Sequence, residues 1–181
     1  MSQQSWILTD VESGTYLEQL ELTRRELKRA PRGFEISKQT LRGGLQDGVD
    51  LLTVNNGRVT VKILPTRGMS IWRAAIDGDT IGWGSPVRGP VHPKFVDLGE
   101  PSGLGWLDGF DELMVRCGLE SNGAPEFDEN GTLLYTLHGR IGNKPAQHVS
   151  VHVDEEEELI TVRGVVEETR FHFLKVRLVT E

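Results

Sequence analysis

Two strand-like runs, Val49 to Val54 and Arg58 to Leu64, are joined by Asn55-Asn56-Gly57. Asn and Gly tolerate positive φ, so this triplet is a strong hairpin signal and commits the middle of the chain to antiparallel pairing. In the second run Val59, Val61 and Ile63 share one face and Thr60 and Lys62 the other, the period-2 pattern of a half-buried strand. The same grammar recurs on either side. Met69 to Ile76 is turned by Asp77-Gly78-Asp79 into Thr80 to Trp83, and Val149, Val151 and Val153 alternate with His148, Ser150 and His152. Leu159 to Val166 follows the acidic run Asp154 to Glu158, which reads as a solvated turn. Phe171 to Thr180 reads as the last strand, with His172, Leu174, Val176 and Leu178 on one face. Turns at this short spacing indicate a sandwich or barrel, not a parallel α/β sheet. The fold expected is mainly β, an antiparallel β-sandwich.

One segment breaks the pattern. Asp10 to Arg29 spaces Tyr16, Leu17, Leu20 and Leu27 among charged residues, with Ser13 in a capping position, and is read as a short N-terminal helix. Leu20 and Leu22 also suit a strand. Residues 1–30 are expected to form an N-terminal extension packed on a single domain that spans 1–181.

Composition narrows the function classes. The chain has 181 residues, enough to bury a sizeable core, and a formal charge of −7, whereas a nucleic-acid binder normally presents a basic face. No stretch approaches the roughly 20 apolar residues of a membrane-spanning helix. The N-terminus Met1-Ser2-Gln3-Gln4-Ser5 has neither a basic nor an apolar export region. The single cysteine, Cys117, rules out an internal disulfide and suits a reducing compartment, so a cytoplasmic protein is expected. Arg116 is the one evident neighbour that would activate it, and a packing role is expected for the thiol.

The chemistry-bearing residues gather around Leu137-His138-Gly139-Arg140 and the preceding run from Gly105 to Leu119. A histidine changes charge near neutral pH, Gly139 leaves room for close approach, Arg140 offers a planar fork of donors, and Asn143 adds an amide. A buried histidine that merely satisfies backbone groups is the competing reading. Gly84 to Gly105 reads as a long ordered loop of the kind that lines binding sites, with His92 as a turn residue or a ligand contact. Arg67 in Pro65-Thr66-Arg67-Gly68-Met69 and Arg116 before Cys117-Gly118 stand at strand ends beside glycines. Asp108, Asp111 and Glu112 are read as surface carboxylates or as an acid/base pair. At most one of Trp72, Trp83 and Trp106 is expected to touch a ligand. His148 and His152 lie about 13 Å apart on a strand, too far to share one ion, so no metal site is expected.

With these residues in view, the chain resembles the galactose mutarotase-like superfamily, and within it an aldose 1-epimerase-like family. The resemblance rests on Pro65 to Met69, Gly82-Trp83-Gly84-Ser85-Pro86-Val87, Gly89-Pro90-Val91-His92-Pro93, the Trp106 to Leu119 block and Leu137 to Asn143. It implies a large antiparallel sandwich that binds a hexose in a cleft, and a cofactor-free anomer interconversion by general acid/base ring opening. A carboxylate takes the anomeric proton, a histidine protonates the ring oxygen, the C1–C2 bond rotates and the ring recloses.

The resemblance implies that His138 stands at the position of the first, sugar-contacting histidine, the candidate catalytic residue. Arg67, Arg116, Asn122 and Arg140 are the candidate substrate-binding residues, with Arg116 or Arg140 at the place of the arginine that binds sugar hydroxyls. The second histidine and the late glutamate base of the family pattern have no match here, and neither His172 nor Glu167 or Glu168 stands in their context. The chain is thus read as the N-terminal portion of such a domain, inactive or weakly active by itself. Exposed sheet edges would then favour a homo-oligomer. The alternatives are a non-catalytic carbohydrate-binding sandwich and a structural remnant without a ligand.

Overall fold

A computed structural model describes residues 3–27, 29–173 and 175–181. In chain order the strands are β1 (Gln3–Asp10), β2 (Thr15–Tyr16), β3 (Leu20–Thr23), β4 (Phe34–Thr40), β5 (Asp50–Asn56), β6 (Val59–Leu64) and β7 (Ser70–Ile76). They continue as β8 (Asp79–Ile81), β9 (Glu126–Phe127), β10 (Leu133–Tyr135), β11 (His148–Asp154), β12 (Leu159–Thr169) and β13 (Lys175–Thr180). A five-stranded sheet runs β13-β12-β11-β1-β2, and a six-stranded sheet runs β3-β4-β5-β6-β7-β8. Every named pairing is antiparallel.

The expected hairpins are present. β5 and β6 pair Val54 with Val61 across the Asn55-Asn56-Gly57 turn, and β7 and β8 pair Ile76 with Asp79. In β11 Val149, Val151 and Val153 are buried as expected and His152 is exposed, while Ser150, on the same face as His152, is buried as well. These valines join Leu8 and Val166 of the first sheet and Leu22, Phe34, Ile36 and Leu52 of the second in one buried cluster. Burying the inward side of each strand supplies the main cohesive energy, about 1.5–3 kcal/mol per large apolar side chain. The result is an antiparallel sandwich.

The N-terminal helix is not formed. Asp10 instead accepts the Glu12 N–H at 3.1 Å and the Ser13 hydroxyl at 2.9 Å, and Gly14 takes φ +70°, closing a turn into β2. β3 then pairs Leu22 with Ile36 and buries Leu22 in the shared core. Tertiary pairing overrides a weak helical period here. β1 lies inside the first sheet between β11 and β2, so residues 3–10 are a strand of the sandwich and not a layer added to it.

Two further expectations change. The last strand begins at Lys175, while Phe171 to Phe173 form an exposed turn, so His172 is a surface residue at φ +64° stacked on Phe171 and not a core histidine. Leu174 lies outside the described residues. Glu155, in the acidic turn, is buried, and its carboxylate accepts from the Arg29 backbone N–H and the Gln4 amide. Among the described residues no helix is long and apolar enough to cross a membrane.

Candidate sugar site at the 105–143 loops

The loops beyond β7 are hung on one arginine. β6 ends in a short 3₁₀ turn, Pro65–Arg67, whose Gly68 lies in the left-handed region and sends the chain back into β7. Arg67 is only 1% exposed, and its fork is almost fully spent. Nε donates to Glu112, one terminal nitrogen donates to the Val91 carbonyl and the Asn143 amide oxygen at 2.9 Å each, and the other donates to the Gly109 carbonyl at 3.0 Å. Four of the five N–H groups of a guanidinium are thereby used. Arg67 pins three separate segments, around Val91, Gly109–Glu112 and Asn143, and has no free face for a substrate.

Asp111 extends the same frame, accepting the Trp72 indole N–H at 2.8 Å and pairing with Arg73 at 2.7 Å. Asp111 and Glu112 are therefore buried structural carboxylates, not surface ones, while Asp108 is exposed. Buried carboxylates persist only where cations and donors compensate them, and both have them.

His138 is placed by its backbone. Its N–H donates to the Gly123 carbonyl at 2.8 Å and its carbonyl accepts the Gly118 N–H at 2.9 Å. It sits at φ +54°, a left-handed conformation uncommon for a non-glycine residue and held here by these bonds. Gly139 follows at φ +71°, where a Cβ would lie 2.4 Å from the carbonyl oxygens of Gly118 and Ser121, so only glycine fits.

The His138 ring is half-buried. Its Nδ1 faces the Asn122 amide oxygen at 3.4 Å. A carbonyl oxygen only accepts, so the tautomer protonated on Nδ1 makes this contact a hydrogen bond and presents Nε2 as an acceptor. The ring's other neighbour is Trp106, edge-on at 4.8 Å. Trp106 is buried and packs on Phe110 at 4.6 Å, which packs on the half-exposed Trp83 at 5.0 Å. Of the three tryptophans, Trp72 serves Asp111, Trp106 backs the histidine, and Trp83 offers an open face.

Arg140 is committed elsewhere. Nε pairs with Glu168 at 2.9 Å and Nη2 with Glu120 at 2.8 Å. Glu168 is fully buried and also accepts the Leu119 N–H at 3.1 Å, so this pair fastens the 118–122 loop that carries Asn122. Arg116 differs from both Arg67 and Arg140. One terminal nitrogen reaches the Met69 carbonyl at 3.3 Å, the other reaches the Met114 sulphur at 3.6 Å, and among the described residues no carboxylate pairs with it. Desolvation by burial pushes its pKa down.

The structure thus brings His138 and Asn122 together, spends Arg67 and Arg140 on the frame, and leaves Arg116 available. The other sequence candidates stay apart. His92 caps the Pro93–Phe95 turn by accepting the Lys94 N–H at 3.0 Å. His152 lies between the Ser5 and Ser150 hydroxyls on the outer strand face. Cys117 is exposed and is not one of the core residues, although partial burial pushes its thiol pKa up. Among the described residues no group of three or more His, Cys, Asp or Glu is placed to hold a metal ion. Glu168 and Glu120 carried no local signal, since their partner Arg140 is 28 and 20 residues away in sequence.

Residues 46–181 match the family described as a domain of unknown function, DUF4432. The chain belongs to the DUF4432 family. A crystal structure from Klebsiella pneumoniae subsp. pneumoniae, described as that of a "putative aldose 1-epimerase", superposes with a TM-score of 0.91 at 38% identity. The likeness covers 97% of this chain and 46% of that one, so this DUF4432 chain spans less than half the length of the Klebsiella protein. No curated protein matches it. The DUF4432 sandwich seen here is therefore galactose mutarotase-like, as the resemblance in the sequence implies.

Proposed function

We propose that the 105–143 loops form the sugar-binding part of an aldose 1-epimerase-like site, with His138 in direct contact with the sugar. One observation carries this reading. Among the described residues, the buried side-chain atoms that have no hydrogen-bond partner in the chain are Trp106 Nε1, Arg116 Nε, Thr136 Oγ1 and Asn143 Nδ2, all from this one region. Buried polar atoms are nearly always paired, because each unpaired group costs about 1–3 kcal/mol. Their concentration beside a strained, half-buried histidine suits a polyhydroxylated ligand, whose hydroxyls both donate and accept.

In this reading His138 Nε2 accepts from a sugar hydroxyl, Asn122 orients the ring, Arg116 donates to the ligand, and Arg67 and Arg140 hold the loops. The reaction of the whole protein would be anomer interconversion: proton removal from the anomeric hydroxyl, protonation of the ring oxygen, rotation about C1–C2 and reclosure. Among the described residues, His138 has an amide and an indole edge as its side-chain neighbours and no carboxylate bonded to it. That favours binding without turnover by this chain, the second reading. We further propose a single domain over 1–181, a cytoplasmic setting, and self-association through sheet edges.

Calorimetry with glucose and galactose on the wild type and His138→Ala tests the site, with polarimetry on freshly dissolved α-anomers alongside. Saturable binding weakened about tenfold or more by the substitution is expected, as for loss of a hydrogen bond to a buried partner. The mutarotation rate should stay near that of buffer. Equal affinity in the two proteins would remove His138 from the site, and a rate well above buffer would show that the chain is a catalyst by itself.

A further inference from the structure

We propose that Arg116 is an oxyanion subsite, so that the sugar bound at the His138 loops carries a carboxylate or a phosphate. This rests on the sugar-site reading and adds the substrate class. Among the described residues, the other buried and half-buried arginines of this chain each have a carboxylate partner. Arg67 pairs with Glu112, Arg73 with Asp111, and Arg140 with Glu168 and Glu120. The half-buried Arg163 lies 4.0 Å from Glu181, and of the exposed arginines Arg42 and Arg58 pair with Glu18 and Asp77. Arg116 is half-buried and lacks a carboxylate, its Nε is buried without a partner, and its contacts are one long bond to a carbonyl and one to a thioether.

A guanidinium is never neutral in a protein, so a partly desolvated one with no counter-charge carries a standing free-energy cost. In a chain of net charge −7, carboxylates to offset it are plentiful, yet none is placed there. What such a group lacks is an anion, and its flat fork of donors matches the two oxygens of a carboxylate or phosphate.

Its position suits the sugar site. Gly118, two residues on, forms a bridge with Gly139, and its N–H holds the His138 carbonyl. Arg116 and His138 therefore stand on paired neighbouring segments, with the arginine about 7 Å along the chain from that pairing point. The backbone there is tightly seated, since a Cβ on Gly142 would lie 2.5 Å from the Arg116 carbonyl. In this proposal a monosaccharide held at its ring by His138 directs its acidic substituent to the arginine on the neighbouring segment.

The test is calorimetry of glucose, galacturonate and glucose 6-phosphate on the wild type, Arg116→Gln, Arg116→Lys and His138→Ala, each checked for cooperative melting. The wild type should prefer an acidic sugar over glucose by about tenfold or more, the scale of a charge-assisted bond. Arg116→Gln should bring that ratio to about one, and Arg116→Lys should restore part of it as a point charge. His138→Ala should weaken acidic and neutral sugars together. The tighter of galacturonate and glucose 6-phosphate identifies the anion.

No preference in the wild type, or a preference that survives Arg116→Gln, overturns the oxyanion subsite even where His138→Ala still weakens binding. A preference lost in Arg116→Gln but insensitive to His138→Ala instead keeps the subsite and refutes the histidine's role. Absence of any sugar binding refutes both.

Discussion

Removing Glu112 should damage the chain more than removing any surface carboxylate, because it strands a charge. Arg67 and Glu112 each have side chains only 1% exposed, and they face each other. Taking one partner from a buried pair typically costs about 3–5 kcal/mol. In Glu112→Ala the guanidinium keeps the Val91 and Gly109 carbonyls and the Asn143 amide oxygen, which offset part of the loss, while the Asp111 N–H loses its acceptor. The expected cost is therefore near the low end, about 3 kcal/mol.

Arg67→Met is worse. It leaves the Glu112 carboxylate buried with the Asp111 N–H as its remaining donor among these contacts, and it strips a donor from three acceptors at about 1 kcal/mol each, for a total of about 5 kcal/mol or more. The double variant Arg67→Met/Glu112→Leu no longer buries a lone charge but keeps the stripped acceptors, so about 3–4 kcal/mol is expected. The second substitution should thus restabilise the first. Urea unfolding with a common slope measures all three, and for a chain of this size 3 kcal/mol corresponds to a fall in Tm of about 6–12 °C. If adding Glu112→Leu destabilises Arg67→Met further, or Glu112→Ala costs less than about 1 kcal/mol, the buried-pair argument fails.

Two smaller tests address the loops. Gly139→Ala combines φ +71° with a Cβ only 2.4 Å from two carbonyl oxygens, so it should cost about 1–3 kcal/mol or more and weaken sugar binding by shifting His138; a variant as stable as the wild type would refute the close approach. Burial pushes His92 below its ordinary pKa, with Lys94 and Arg67 adding to the fall and Asp47 and Asp50 opposing it. The unfolded chain then takes up its proton first, so the His92 contribution to stability is complete above about pH 6.5 and is lost as the pH falls. His92→Asn keeps an acceptor for the Lys94 N–H without titrating, so between about pH 7 and pH 5 the wild type should lose stability relative to it. Parallel unfolding curves for the two at both pH values would remove His92 as the cause.

Much of the sandwich was legible because strands with one buried face advertise it locally. The valines of β11 and the Asn-Gly turn between β5 and β6 depend on neighbours two or three residues away. The 10–29 segment was ambiguous: Leu20 and Leu22 also suit a strand, and only the pairing of Leu22 with Ile36 decides for it. The close approach at Gly139 could also be read, from a glycine after His138 that nothing larger can replace.

What the sequence by itself determined was an antiparallel β-protein, with the candidate site proposed between Gly105 and Asn143. What only the tertiary structure decided was which charges are spent. Arg67, Arg116 and Arg140 look alike as letters, each beside a glycine or near a strand end. One is locked on Glu112 across 45 residues, one on Glu168 across 28, and one has no carboxylate partner. A charge acquires its role from burial and from the counter-charge brought to it, and in a sheet protein both arrive from strands far away in sequence.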